Sequence, residues 1–471
     1  MYKYLHILLL CLYTAAVLPC KAQAVQPMQV VSDEGYIVIR HIIITGNKKT
    51  RTSVILRELG TVPGDTIKLK ELSATLETRR KQLLNTSLFL NVTSNVKNWT
   101  GNEADIEFEV WERWYTFAFP IFKLADRNFN QWLVEQKGSI DRVNLGVKVL
   151  KDNLTGRNDE IKADIQAGYT QRVVLSYDLP YVDKRYRHGI GFSFSYSRNR
   201  EVNDSTALNK QHFYTRDEFL RRNFSAGVSY TYRRAINTRH QAFLTYNDDS
   251  VHDSVAIRNP QYYGGGRTRA RYLNLLYRVS YVKADSWQFP LKGVSVQAEL
   301  EKTGIAPLDD INNVRIRFRG ARYWQLAPKT FGALGIRAQA KLSDEQPYVA
   351  QKAMGYGDDY LRGYEYYVVD GTSFAIFKST LRQQLLNTSF RVPLVPRKFS
   401  QVPLRIFAKT YVDAGYTYSK YPGDGFLNNR MLYSGGVGLE IVSFYDTAIR
   451  FEYSLNQLGE KGLFLHAKLD M

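Results

Sequence analysis

From about residue 115 to Met471 the apolar residues recur at every second position, and the helical period disappears. Phe192, Phe194 and Tyr196 alternate with Gly191, Ser193, Ser195 and Ser197, and Phe224, Ala226, Val228 and Tyr230 alternate with Ser225, Gly227 and Ser229. The same period returns in 294–300, 314–318, 334–342, 404–418, 437–441, 449–455 and 463–471. A period of two puts successive side chains on opposite faces of a strand, so repetition on this scale predicts one continuous antiparallel sheet.

The medium around that sheet is the next question. Arg315, Arg317 and Arg319 form one row and Val314, Ile316 and Phe318 the other, a pattern that fits a soluble sandwich as well as a barrel with apolar residues toward lipid and charges toward a wet lumen. Length discriminates better. At about 10 residues per membrane-crossing strand, 115–471 accommodates about 16 strands, an even number as bacterial barrels require. Such a sheet must close, because an open edge in hydrocarbon leaves backbone donors and acceptors unpaired. Aromatic residues make up 13% of the chain, with 33 Tyr, as expected for a barrel whose two faces average to modest polarity. Polar stretches at 199–216 and 247–268 read as long outer loops, and Asn153-Leu154-Thr155-Gly156 and Pro180-Tyr181-Val182-Asp183 as short inner turns.

Residues 1–24 carry Lys3, an apolar run from Ile7 to Leu18 and Ala22-Gln23-Ala24, the order of a secretory signal peptide. The mature chain is expected to start at Val25, with 25–35 a short leading segment. Leu18-Pro19 before Cys20 lacks the small residues of a lipoprotein cleavage site. Both cysteines, Cys11 and Cys20, fall inside the signal, so the exported chain is expected to have no disulfide, thiolate metal site or cysteine nucleophile. Beyond it, no apolar run approaches the roughly 20 residues of a membrane helix. The formal charge of +19 is expected to face lipid headgroups and lipopolysaccharide phosphates rather than nucleic acid.

Residues 36–113 have a different grammar. Tyr36 to Thr45 is β-branched and apolar and stops at Gly46-Asn47. Thr50 and Thr52 are placed to cap a short helix carrying Val54, Ile55 and Leu59, and Glu71 to Leu84 predicts a second helix with Leu72, Leu76 and Leu83 on one face. Two strands follow, one with Leu88, Leu90 and Val92 and one with Ile106, Phe108 and Val110. This strand-helix-helix-strand-strand order, with GNKKT, GDTIKLKEL, LFLNV and ADIEFEVWER at its junctions, resembles the periplasmic POTRA module of outer-membrane assembly factors. A generic small α+β domain is the alternative.

Within the sheet region, Leu361-Arg362-Gly363-Tyr364, inside DDYLRGYEYY (358–367), is similar to the loop signature of the BamA/TamA superfamily, also called the bacterial surface antigen family. Val is more frequent than Leu at the first of these positions. NLTGRND (153–159) and SYDLPYVD (176–183) also resemble the family's early turns. The resemblance implies that this sixth extracellular loop folds back into the barrel, where its arginine meets an acid in an aromatic-x-Asp-x-Gly strand; Tyr411-Val412-Asp413-Ala414-Gly415 fits. Periodicity agrees independently: Leu404, Ile406, Ala408, Val412, Ala414, Tyr416 and Tyr418 share one parity, and Asp413 shares the other with Arg405, Lys409 and Thr417. Arg362 can then bind Asp413 through two hydrogen bonds, with Gly363 allowing a tight turn and Tyr364 packing on the wall. An ordinary exposed loop charge is the alternative.

Family members insert barrels into the outer membrane or move polypeptides across it. The resemblance therefore implies a Gram-negative outer-membrane factor with its module in the periplasm, unfolded outer-membrane or secreted polypeptides as clients, and accessory lipoproteins as possible partners. A sheet edge of the module offers a client sequence-tolerant backbone pairing. The barrel would close at a seam between a first strand within 115–136 and the last, where Gly462, Leu463, Leu465 and Ala467 keep part of the family's terminal pattern, although the final residue is Met471 rather than an aromatic. One module, where the principal insertion factors carry several and two-partner secretion transporters usually two, points to a specialised factor. The 25–35 segment has no room for the lipase domain of some single-module relatives.

A passive porin-like channel is the first alternative and a barrel enzyme the second. No catalytic residue, metal ligand or cofactor is expected. Gly191-Phe192-Ser193-Phe194-Ser195 lacks the last glycine of a nucleophile elbow, no two histidines have close ligand spacing, and Gly264-Gly265-Gly266-Arg267 lacks the Lys-Ser/Thr ending of a phosphate loop. His466 is placed in the lumen as polar filler, and Asp358-Asp359 as local charge balance beside the loop arginine.

Overall fold

The computed structural model describes residues 35–124, 131–135, 137–305, 309–343, 346–391, 401–443 and 448–466. The signal segment 1–24, most of 25–35, and Ala467 lie outside the described residues.

The N-terminal strand Tyr36–Thr45 alternates Ile37 and Ile39 into a core and runs to Gly46, whose φ of +85° turns the chain. Helix Thr52–Leu59 buries Val54, Ile55 and Leu59 and ends where Gly60, at φ +58°, returns its N–H to the Leu56 carbonyl. The expectation of a threonine cap is corrected here. Arg51 occupies the cap position without a side-chain bond, and the Thr50 hydroxyl is 3.0 Å from the Tyr115 hydroxyl instead. Helix Leu69–Asn85 follows, then Phe89–Thr100 and Glu103–Glu112. The sheet order is Thr66–Lys68, Tyr36–Thr45, Glu103–Glu112, Phe89–Thr100, with the middle pair parallel. Phe89–Thr100 therefore stands at an edge.

The rest of the chain is a 16-stranded antiparallel sheet, from Thr116–Leu124 to Lys461–His466, in which spatial order follows chain order. Its logic is clearest in Ala448–Asn456. Arg450, Glu452, Ser454 and Asn456 are buried inside, while Ile449, Phe451, Tyr453 and Leu455 are exposed outside. Exposed apolar rows recur around the wall, in Phe192 and Phe194, Leu300, Ile316, Val437 and Leu463, the outward band of a transmembrane barrel with a polar interior. Among the described residues no ladder joins the first strand to the last.

The outer ends differ from the expected open loops. Residues 201–207 and 210–215 form a hairpin, residues up to Val251 belong to strand Thr238–Val251, and Asp253–Arg258 is a short helix. Val202, Leu220, Val255, Tyr262 and Tyr348 pack into a cluster of their own there, so the polar composition had concealed a small folded cap.

At the opposite end the turns 153–159 and 180–187 meet the N-terminal domain. Asn153 donates to Thr50 Oγ1 at 2.8 Å, and the Arg51 N–H to the Gly156 carbonyl at 3.0 Å. Glu58, on the first helix yet only 2% exposed, accepts from Arg233 at 2.5 and 2.9 Å and from the Tyr181 hydroxyl. Tyr181 itself joins the N-terminal core beside Ile55 and Leu59. Three turns of the barrel thus hold the small domain, 153–159 and 180–187 through hydrogen bonds and apolar packing and the turn at 233–237 through the Arg233–Glu58 charge pair.

Candidate functional site: an arginine-anchored loop inside the barrel

The loop between strands Thr330–Lys341 and Ser373–Arg391 starts at the outer end and folds into the lumen. Arg362 is fully buried. Its Nε donates to Asp413 Oδ2 at 2.6 Å and its Nη2 pairs with Asp413 Oδ1. Nη1 donates to Thr380 Oγ1 and Nη2 to the Ser379 carbonyl, both at 3.1 Å. The guanidinium also lies 3.9 Å from the centroid of the Tyr411 ring. A planar donor fork thus finds a carboxylate, two further oxygens and an aromatic face, which satisfies a charge that would otherwise be costly to bury.

The strand alternation makes this possible. In Gln401–Tyr418 the odd positions Phe407, Lys409, Tyr411, Asp413 and Thr417 are buried and Val412 is exposed. Gly363 sits at φ +84°, and a Cβ there would approach Ser434 and Ser454 to 3.3 Å; Asn456 holds its carbonyl at 2.8 Å. Gly415 makes room on the wall: a Cβ would stand 3.3 Å from Met354 Sδ and 3.5 Å from Leu361 Cδ1. Leu361 and Tyr364 are buried with Met354, Phe374, Ile376 and Leu432, and the Tyr364 hydroxyl donates to the Tyr433 carbonyl at 3.3 Å.

Asp359, expected to balance the loop arginine, instead pairs with the arginine row of the wall. Asp359 meets Arg319 at 3.0 Å and lies 3.6 Å from Arg337, on a different part of the wall from Asp413. The loop is consequently tied on two sides, by its own arginine to one wall and by its own carboxylate to the arginine row of strand Asn313–Ala327. Below Asp413 runs a second charge cluster. Arg382 donates to Glu440 at 2.6 Å, Lys409 bridges Glu440 (3.2 Å) and Glu452, and Glu452 is 3.2 Å from His466 Nε2. The inward parity of 378–382 and 450–456 was the available signal for these groups.

The last strand is also touched by the loop. Leu463 and Leu465 face outward, while Phe464 faces in, 5.7 Å from Tyr366 between ring centroids. A Cβ at Gly462 would meet the Phe464 ring at 3.1 Å. His466 faces the lumen, stacked on Tyr360 at 5.3 Å and 3.4 Å from Glu365.

The Omp85 superfamily domain matches residues 153–457, and the POTRA family, a surface antigen variable number repeat, matches 37–113. Among solved structures, BamA from Haemophilus ducreyi lacking POTRA domains 1–3 is similar at TM-score 0.53 and 17% identity, covering 92% of this chain and 83% of that one. CdiB from Acinetobacter baumannii is similar at TM-score 0.51 and 11% identity, over 91% and 73%. Comparison with curated proteins gives no match. Barrel, POTRA and family match agree, and the chain belongs to the Omp85 superfamily, as a BamA/TamA-type protein with one POTRA domain.

Proposed function

We propose that this chain works in the outer membrane of a Gram-negative bacterium as an assembly or translocation factor, with residues 36–113 in the periplasm, 115–471 in the membrane and residues 1–24 removed on export. Its clients are unfolded outer-membrane or secreted polypeptides. The observation that carries the reading is the lumen loop fixed by Arg362 to Asp413 inside a 16-stranded barrel whose POTRA domain is docked beneath it. A passive pore needs neither a bidentate anchor nor a docked module. Support for the client class comes from the edge strand Phe89–Thr100, where an extended segment can add backbone hydrogen bonds irrespective of its sequence.

In this mechanism the loop partitions the lumen at rest, the POTRA edge receives the client, and the seam between the first and last strands, at Gly462 to Ala467, is where a new strand pairs or the wall yields. The chain itself performs no bond chemistry. The test places photo-crosslinking residues at Asn95 and Lys97 in the edge strand and compares other barrel proteins and secreted proteins in cells depleted of this chain. Crosslinks to unfolded polypeptide together with a deficit of particular clients support the proposal. Unchanged client levels, with a steadily open conductance in planar bilayers, would replace it with a passive channel.

A further inference from the structure

On the outer wall at the POTRA end, an aromatic strip crosses four neighbouring strands. Tyr232 lies opposite His188 on one side and His240 on the other in the ladders. Ring centroids run His188 to Tyr230 at 5.9 Å, His188 to Tyr232 at 5.2 Å, Tyr232 to His240 at 6.1 Å and His240 to Tyr277 at 6.2 Å. Two rings are fixed by hydroxyls: His188 Nδ1 is 2.6 Å from Tyr230 Oη, and His240 Nδ1 is 2.7 Å from Tyr277 Oη. The strip floors a hollow of about 640 Å³ whose rim carries Arg185 and Arg187.

These two arginines differ from Arg233 at the same end, which is spent on Glu58. Among the described residues neither Arg185 nor Arg187 has a side-chain hydrogen bond or ion pair. Toward mid-barrel the wall below the strip is aliphatic and aromatic, with Ile190, Phe192, Val228, Leu244 and Leu275 all exposed. Along the wall the order is therefore free guanidinium, then tyrosine and histidine, then hydrocarbon. That order is the order of groups in one glycerophospholipid molecule: phosphodiester, ester and glycerol oxygens, acyl chain.

We infer that the hollow binds the phosphodiester headgroup of a glycerophospholipid from the periplasm-facing leaflet, an inference that rests on the outer-membrane reading above. Arg185 and Arg187 take the phosphate, since guanidinium donors match its oxygens. The tyrosine hydroxyls and histidine ring nitrogens face the polar oxygens of the backbone, at the depth where amphipathic rings are favoured. One acyl chain runs along Ile190 and Phe192. The POTRA side of the barrel fixes the leaflet, because turn 180–187 contacts Glu58 and Ser53 of the module.

The test is native mass spectrometry of the full chain released from nanodiscs containing phosphatidylglycerol or the phosphate-free diacylglycerol of the same chains. Wild type is compared with Arg185→Gln/Arg187→Gln and with Arg216→Gln, an exposed arginine at the opposite end. Retained phosphatidylglycerol is expected to fall about tenfold in the double variant, the loss of charge-assisted contacts, to stay at wild-type level in Arg216→Gln, and to resist excess inorganic phosphate. Tyr232→Leu, which keeps the wall apolar, is expected to weaken retention less. Equal retention in wild type and the double variant, or equal retention of diacylglycerol, overturns the site while leaving the outer-membrane reading intact. Absence of the wild-type chain from isolated outer membranes overturns both.

Discussion

Two arginine–carboxylate pairs hold this molecule together, and they differ in what they join. Arg362 ties a loop to the wall of the same domain, 51 residues away in sequence, and neither it nor Asp413 has any exposed side chain. Arg233 ties a barrel turn to a helix of the POTRA domain, 175 residues away, with Glu58 2% exposed and Arg233 14%. Both pair with a carboxylate against a tyrosine, Tyr411 in one case and Tyr181 in the other. The first site is fully buried, with every guanidinium nitrogen bonded; the second borders an open cleft lined by Arg233, Arg239 and Lys81. The same chemical pair therefore serves as an internal anchor where both side chains are fully buried and as an interdomain clamp where the arginine is partly exposed, and removing a partner should cost more in the first setting.

The largest expected effect is at the fully buried site. Asp413→Ala leaves the Arg362 charge buried and should destabilise the loop by about 3–5 kcal/mol, read as loss of heat-modifiable migration and of outer-membrane level. The exchange Arg362→Asp/Asp413→Arg is expected to recover part of that loss; recovery no better than the single variants would show that the pair is not the anchor. Glu58→Ala comes next, at about 2–3 kcal/mol because solvent can reach Arg233. Its readout is hydrogen exchange in helix Thr52–Leu59 and faster proteolysis between residues 112 and 116, with the barrel unaffected. If Glu58→Ala proves more damaging than Asp413→Ala, the contrast between buried anchor and part-exposed clamp is wrong.

Smaller effects sharpen the comparison. Gly363→Ala forces a side chain into the left-handed region, at about 1–2 kcal/mol, measured by the temperature of the gel shift. The smallest concerns a surface pair. The Arg80 hydrogen bond, followed by the Arg80 and Lys81 charges, brings the Glu77 carboxyl down to about 2. A lowered folded value means that its stabilisation is complete above the unfolded value near 4.5 and is lost as pH falls toward about 2. Glu77 is 44% exposed, so screening limits this to about 0.5 kcal/mol. Arg80→Ala should flatten the acid limb of POTRA stability by that amount, measured by circular dichroism of the full chain in detergent.

Much of this was legible beforehand. Parity put Asp413 on the face opposite Val412, because a strand has only two faces, and the barrel reading made that face the lumen. The Arg362 loop was readable because its residues form a contiguous signature. Glu58 was not: on a helix, one buried acid among Ser53, Arg57 and Leu59 has no periodic mark, and its burial is caused by turns more than a hundred residues later. The Thr50 hydroxyl misled for the same reason, since Tyr115 and Asn153 draw it away from the helix end. The outer hairpin at 201–215 has the composition of a loop because it packs on a small cap rather than on the barrel core. Long-range partners leave no trace in local pattern, and each of these misreadings is of that kind.

Tyr181 has a consequence for how the two domains come to exist. It is a barrel residue that completes the POTRA hydrophobic core beside Ile55 and Leu59, so the module cannot finish its own packing until the turn at 180–187 has formed. Cooperative units in proteins are defined by shared packing rather than by boundaries in sequence. The two domains should melt as one near this junction, and the isolated segment 35–113 should unfold at a lower temperature than the same segment in the whole chain. A module whose last core residue arrives with the barrel reaches its full stability only on a barrel that has already been built.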